Sequence, residues 1–134
     1  MSAEQKEDSP YADDWLKVAR RDWHRMHVLL ADGDADGAGF FLQQAVEKYL
    51  NAFLLRQGWK LKRVHTLQSL LDEAAAFAPE AATMRPVCER VSGFYLGERY
   101  PSVGAEGLQA EDVRRELPEA RALITKLFPD ERLE

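Results

Sequence analysis

The longest helical pattern in the chain runs from Phe40 to Gly58, FFLQQAVEKYLNAFLLRQG. Its apolar residues fill two rows rather than one stripe. Phe41, Ala45, Tyr49 and Ala52, continued by Phe53 or Leu55, form one row; Phe40, Val46, Leu50 and Leu54 form the other. A helix apolar over so much of its circumference needs neighbours on several sides. It is therefore predicted to be central and to touch at least three others. Gln44, Glu47 and Lys48 interrupt it as a polar seam that must be solvated or paired. Glu47 and Lys48 are adjacent and point about 100° apart, which argues against a cross-turn ion pair between them.

Four more helical patterns surround this one. Ser9 and Pro10 read as the N-cap and first residue of a helix reaching Ala31, with Tyr11, Trp15, Val18, Ala19, Trp23, Met26, Leu29 and Leu30 at helical spacing. Asp22 lies at the edge of that face. Asp32 to Gly37 matches the first half of a calcium loop, D-x-D-x-D-G. The match then fails, because Gly39 and Gln43 stand where an aliphatic residue and a bidentate Glu are required. The segment reads as an interhelical turn, with Asp34 or Asp36 capping the central helix. Gly58 is a good residue to end it. Thr66 is a plausible N-cap for a third helix through Leu67, Leu70, Leu71, Ala74, Ala75 and Phe77, ended by Pro79. A fourth, Met84 to Tyr100, contains Gly93 and Gly97, which permit close approach of another backbone, and stops at Pro101. The last spans about Ala110 to Phe128, with Pro118 marking either its start or a kink. Strand-like alternation never exceeds about four residues. The prediction is an all-α, up-and-down antiparallel bundle of four long helices plus one shorter helix. It forms a single domain over residues 1–134, with a flexible tail at 1–9 and a C-terminal tail at 129–134.

Composition changes little in this picture. The chain has 134 residues, 46% hydrophobic and 31% charged, as in ordinary soluble domains, and a length that fits one core. The segment before Pro10 lacks an apolar signal region, and no run is long enough to span a membrane, so a cytoplasmic protein is expected. One cysteine, Cys88, excludes an internal disulfide; in a helical pattern it reads as a small buried apolar residue. The net charge of −5 opposes nucleic-acid binding by bulk charge. Arg56, Lys60, Lys62 and Arg63 nevertheless form a basic connector with no acid among them, able to receive one phosphate or one short anionic ligand.

Motifs for common chemistries are absent: no phosphate-binding glycine loop, no zinc-protease motif, no nucleophile elbow. His24, His27 and His65 are too few and too scattered for a zinc site, and neither a metal nor a cofactor is expected. Asp22, Gln44, Glu47, Lys48, His65, Arg99 and Tyr100 remain as polar residues bordering apolar faces. Arg99 carries the most weight among them. It ends its helix where the dipole favours a cation, and Tyr100-Pro101 fixes the chain beyond it.

These residues resemble the HEPN domain family (higher eukaryotes and prokaryotes nucleotide-binding). The resemblance is carried by Ala19-Arg20-Arg21-Asp22-Trp23, by Gln43 to Leu50 (QQAVEKYL), by His65-Thr66-Leu67 with Leu70-Leu71, and by Glu98-Arg99-Tyr100-Pro101, in this order and spacing. It covers about Trp15 to Phe128. It implies a helical bundle, frequently a homodimer. In prokaryotes such domains often accompany a minimal nucleotidyltransferase, in pairs that include toxin–antitoxin systems. Some members are metal-independent ribonucleases that resemble one another in an R-x(4–6)-H motif. Here the positions after Arg99 hold Gly104, Ala105 and Glu106, and no histidine follows. Arg21 and His27 have that spacing, but in the first helix.

The resulting expectation is a binding module for a nucleotide, an RNA end or a nucleotidyltransferase partner, without catalysis. In it Arg99, with Lys48 and His65 nearby, receives a phosphate or an acidic group of the partner. Two alternatives stand beside it: a divergent ribonuclease using Arg99 and His65, and a structural dimerisation partner. In the latter Arg99 pairs internally with Asp22 or Glu47 and the seam only fixes register.

Overall fold

The computed structural model describes residues 10–60, 66–99 and 107–134, with the backbone alone over 95–99. Five α-helices carry it: α1 Ala12–Ala31, α2 Ala35–Arg56, α3 Leu67–Ala75, α4 Arg85–Arg99 and α5 Ala110–Leu127. A 3-10 turn, Pro79–Met84, joins α3 to α4. No strand occurs among the described residues. The class is all-α.

The local chemistry explains most boundaries. Asp34 caps α2, its Oδ1 accepting from the Gly37 N–H at 2.9 Å. Gly33 before it takes φ +82°, the left-handed conformation that lets the chain reverse between α1 and α2. The D-x-D-x-D-G stretch is thus an interhelical turn. It feeds a helix that starts five residues earlier than the apolar rows suggest, because glycines and alanines hide its first turns. Gly58, at φ +89°, ends α2 as expected. Thr66 caps α3 reciprocally with Ser69: the Ser69 N–H donates to Thr66 Oγ1 at 3.1 Å and the Thr66 N–H to Ser69 Oγ at 2.9 Å.

Four expectations are corrected. Pro10 lies outside α1, which begins at Ala12 after Tyr11. Helix α3 ends at Ala75, Pro79 opens the 3-10 turn instead of ending α3, and Phe77 is exposed rather than part of an apolar row. Pro118 sits inside a continuous α5 and does not mark its start. The close approach of a neighbouring element is at Gly39, not at Gly93, while the surroundings of Gly97 lie outside the described residues. A Cβ on Gly39 would stand 2.6 Å from Leu108 Cδ2 and 3.1 Å from Phe94 Cβ, whereas one on Gly93 would meet nothing within 4 Å.

Helix α2 is the hub and packs against α1, α3, α4 and α5. Leu42, Ala45, Val46, Leu50, Ala52 and Leu54 are fully or nearly fully buried along it. Phe94 of α4 meets Gly39 near the start of α2, and Val87, Cys88 and Val91 gather with Val46, Ala120 and Leu123 further down. The two helices therefore run antiparallel. Arg90 of α4 locks onto α5, its Nε donating to the buried Glu116 carboxylate at 2.8 and 2.9 Å. Cys88 is buried, and burial pushes its thiol up to about 12, so it behaves as a small apolar residue.

The segment after α5 is firmly held. Phe128 is buried against the rings of Tyr49 and Phe53. Glu131 receives Arg20 through Nε and Nη2, both at 2.9 Å, and the Tyr49 hydroxyl at 2.5 Å. The Glu134 carbonyl oxygen accepts from Arg121 at 2.7 Å and lies 3.1 Å from His27 Nε2, while the Glu134 carboxylate meets His24 Nδ1 at 3.0 Å. Residues 129–134 form a strap across α1 and α5. His24 and His27 thus serve as partners of that strap.

Candidate functional site

The polar residues of α2 form one ladder. Gln44 donates to Gln43 at 2.7 Å, and Gln43 donates to Glu47 at 3.5 Å. Lys48 Nζ donates to Gln44 at 3.2 Å and to Glu47 Oε2 at 3.0 Å, and it lies 5.6 Å from the centre of the Trp15 ring. Glu47 and Lys48 therefore do pair, although they are neighbours in sequence. Their long side chains bend around the helix to meet, at 21% and 17% exposure. Helix geometry excludes a cross-turn bridge but not this contact.

Asp22 of α1 approaches the same ladder. Its carboxylate is buried and has Arg25 at 3.5 Å. Burial raises its pKa, against the pull of Lys48 first and then Arg25 and Arg21. Arg25 in turn lies 5.5 Å from the centre of the Phe41 ring. Lys48, Asp22, Gln44 and Glu47 are thus brought together, with Trp15, Arg25 and Phe41 at the edge.

The others are not. Arg99 ends α4, and the antiparallel run of α4 on α2 carries its backbone past Gly39, away from Lys48. Lys48 lies nine residues down α2 from Gly39, roughly 13 Å at 1.5 Å per residue. His65, Tyr100 and the Arg99 side chain lie outside the described residues, as do Lys62 and Arg63 of the basic connector. Among the described residues, Asp22 and Glu47 meet cations of α1 and α2, and no cluster of three or more acids, histidines or cysteines is spaced to hold a metal.

One residue of this face escapes the sequence reading. Asn51 is 1% exposed, and among the described residues neither its Oδ1 nor its Nδ2 has a hydrogen-bond partner. A buried amide in that state costs on the order of 1–3 kcal/mol for each unmet group. Asn51 continues the row of Gln44, Glu47 and Lys48 by one turn. At about 100° per residue it points roughly 120–160° away from Gly39, Val46, Tyr49 and Phe53, which meet α4, α5 and Phe128. The signal is legible in retrospect: an asparagine in the midst of Tyr49, Leu50, Ala52, Phe53 and Leu54, one turn beyond a polar pair.

The family and the fold of this helical bundle are both matched by known proteins. The HEPN domain model matches residues 12–131, and the chain belongs to the HEPN domain family. Two solved structures share the fold. TT1696 from Thermus thermophilus is 23% identical, with a TM-score of 0.76 over 87% of this chain and 94% of that one. ST0689, described as an archaeal HEPN homologue, is 25% identical, with a TM-score of 0.68 over the same shares. No curated protein matches the chain. Among the described residues, no helix is long and apolar enough to cross a membrane.

Proposed function

We propose that this HEPN domain is a binding module for a nucleotide or an RNA end, partnered with a minimal nucleotidyltransferase, and that it does no chemistry itself. The unpartnered Asn51 amide carries this reading. A fold accepts two unmet hydrogen-bonding atoms in its central helix at a cost, and such a cost is typical of a place built to meet a ligand. Lys48 beside it supplies a point cation for a phosphate. Arg99, far along the bundle and followed closely by Pro101, serves the partner: its planar fork suits an acidic group of the nucleotidyltransferase. The absence of an R-x(4–6)-H histidine after Arg99 argues against the ribonuclease of the family.

The test is a calorimetric titration of the purified protein with the four nucleoside 5′-monophosphates, run beside an RNA-cleavage assay. Saturable heat with intact RNA is the expected result. RNA cleavage lost in Arg99→Ala would replace this reading with the divergent ribonuclease using Arg99 and His65. One observation favours a structural dimerisation partner instead: Lys48 already meets Glu47 and Gln44 within its own helix. That reading predicts no heat with any nucleotide.

A further inference from the structure

The ladder on α2 divides chemically at Asn51. Gln43, Gln44, Glu47 and Lys48 satisfy one another. Asn51 makes no side-chain hydrogen bond among the described residues, although it is the most deeply buried of the five. Its carboxamide offers one donor and one acceptor in a single plane, about 2.3 Å apart by amide geometry. That pair is complementary to any planar edge presenting an adjacent acceptor and donor. Nucleobases present such an edge in one rigid plane; an ionised phosphate has no donor, and the ribose hydroxyls lie out of a common plane.

Resting on the nucleotide-binding reading above, we propose that Asn51 is the residue of this site that recognises the base, pairing in a bidentate way with the base edge while Lys48, one turn before it on the same face, takes the phosphate. The carboxamide is closed off in this conformation. The side chains standing one turn before it, Glu47 and Lys48, remain 21% and 17% exposed and hold each other on the helix surface. Base entry turns them aside, and Lys48 exchanges the Glu47 carboxylate for the phosphate of the ligand. An apolar residue at position 51 would fill the same space without unmet polar atoms. The asparagine therefore contributes recognition at the expense of stability.

The experiment separates this inference from the reading beneath it. The wild-type chain, Asn51→Leu and Asn51→Asp are titrated with the four nucleoside 5′-monophosphates and with ribose 5-phosphate as a base-free probe, and each protein is melted. Wild type is expected to bind at least one monophosphate more tightly than ribose 5-phosphate, by about 5- to 150-fold, the usual range for a bidentate pair. Both variants are expected to lose that margin and keep their affinity for ribose 5-phosphate. Asn51→Leu should melt at or above the wild-type temperature. A base-dependent margin that survives in either folded variant overturns the role of Asn51 and leaves nucleotide binding standing. A wild type that binds no monophosphate overturns both. If Asn51→Leu does not fold, or melts well below wild type, the bulkier side chain has overpacked the site, and Asn51→Asp, which keeps the shape and removes the donor, decides alone: a margin it keeps overturns the inference, and a margin it loses supports it.

Discussion

Glu131 shows how one side chain binds distant parts of the molecule. Its carboxylate is 8% exposed and takes hydrogen bonds from Arg20 and Tyr49. Arg20 first, then Tyr49, hold its pKa below the usual 4.5, against the opposing effect of burial. A carboxyl with a lowered native pKa stabilises the fold above its unfolded value, and that contribution is lost as pH falls through the native value. Glu131→Gln should therefore destabilise by roughly 1–2 kcal/mol near neutrality, the modest figure reflecting an Arg20 half in water. The deficit should vanish in acid, where wild type loses the same interaction. Melts across pH 3 to 8 measure it; a deficit independent of pH would refute the assignment. Asp22 has the opposite sign. Burial raises its pKa above 3.8, so its charged form opposes folding, and stability is lost as pH rises through the raised value. Asp22→Asn should melt higher than wild type at pH 7 and converge with it towards pH 4. A lower melt at pH 7 would show that Arg25 and Lys48 outweigh the burial.

The contact between α2 and α4 depends on a single missing methyl group. With Phe94 Cβ only 3.1 Å from where a Cβ on Gly39 would lie, a side chain at 39 fits only if the two helices part by a few tenths of an ångström. Leu108 can swing away, but Phe94 Cβ is fixed to its backbone. Gly39→Ala should cost about 1–3 kcal/mol through overpacking, despite the gain in helix propensity. Denaturant melts decide it, and an unchanged or raised midpoint would mean that α4 shifts freely. Helix identities and most caps are legible in the sequence, because Asp34, Gly58 and Thr66 act locally. The early start of α2 is less so, since Gly37, Ala38 and Gly39 carry almost no apolar signal although all three are buried. Pairings across long separations are not legible at all. Nothing in the order of residues announces that Arg20 will meet Glu131, or that Lys48 will lie levels away from Arg99.

At the scale of the molecule, the family resemblance implies a homodimer, and Trp59, Phe94 and Tyr95, more aromatic surface than one small bundle hides easily, point the same way. Of those aromatics, Trp59 and Phe94 are half-buried and packed on the core and the Tyr95 side chain lies outside the described residues; among the described residues, the large apolar side chains in water are Tyr11, Val28 and Phe77. The family argument for a dimer remains, and Val28 on the outer face of α1 gives it a place to be probed. Sedimentation at tens of micromolar should show a dimer, the range in which a complex of micromolar dissociation constant is mostly formed. A lone monomer at that concentration counts against it, and Val28→Glu that leaves a dimer intact excludes the α1 face.

The strap has a consequence for how the chain is made. Arg20 waits for a carboxylate 111 residues downstream, and His24 and His27 for groups 110 and 107 residues downstream. During synthesis at about 5–20 residues per second, α1 and α2 can pair early, but Arg20, His24 and His27 stay without these partners until residues 129–134 have emerged from the ribosome. Closing so long a loop is slow compared with local helix formation. The domain is thus a late finisher: a nascent chain halted after α5 would hold its hairpin and its hub, yet still present Tyr49, Phe53 and Arg20 to whatever chaperone or neighbouring chain reaches them first.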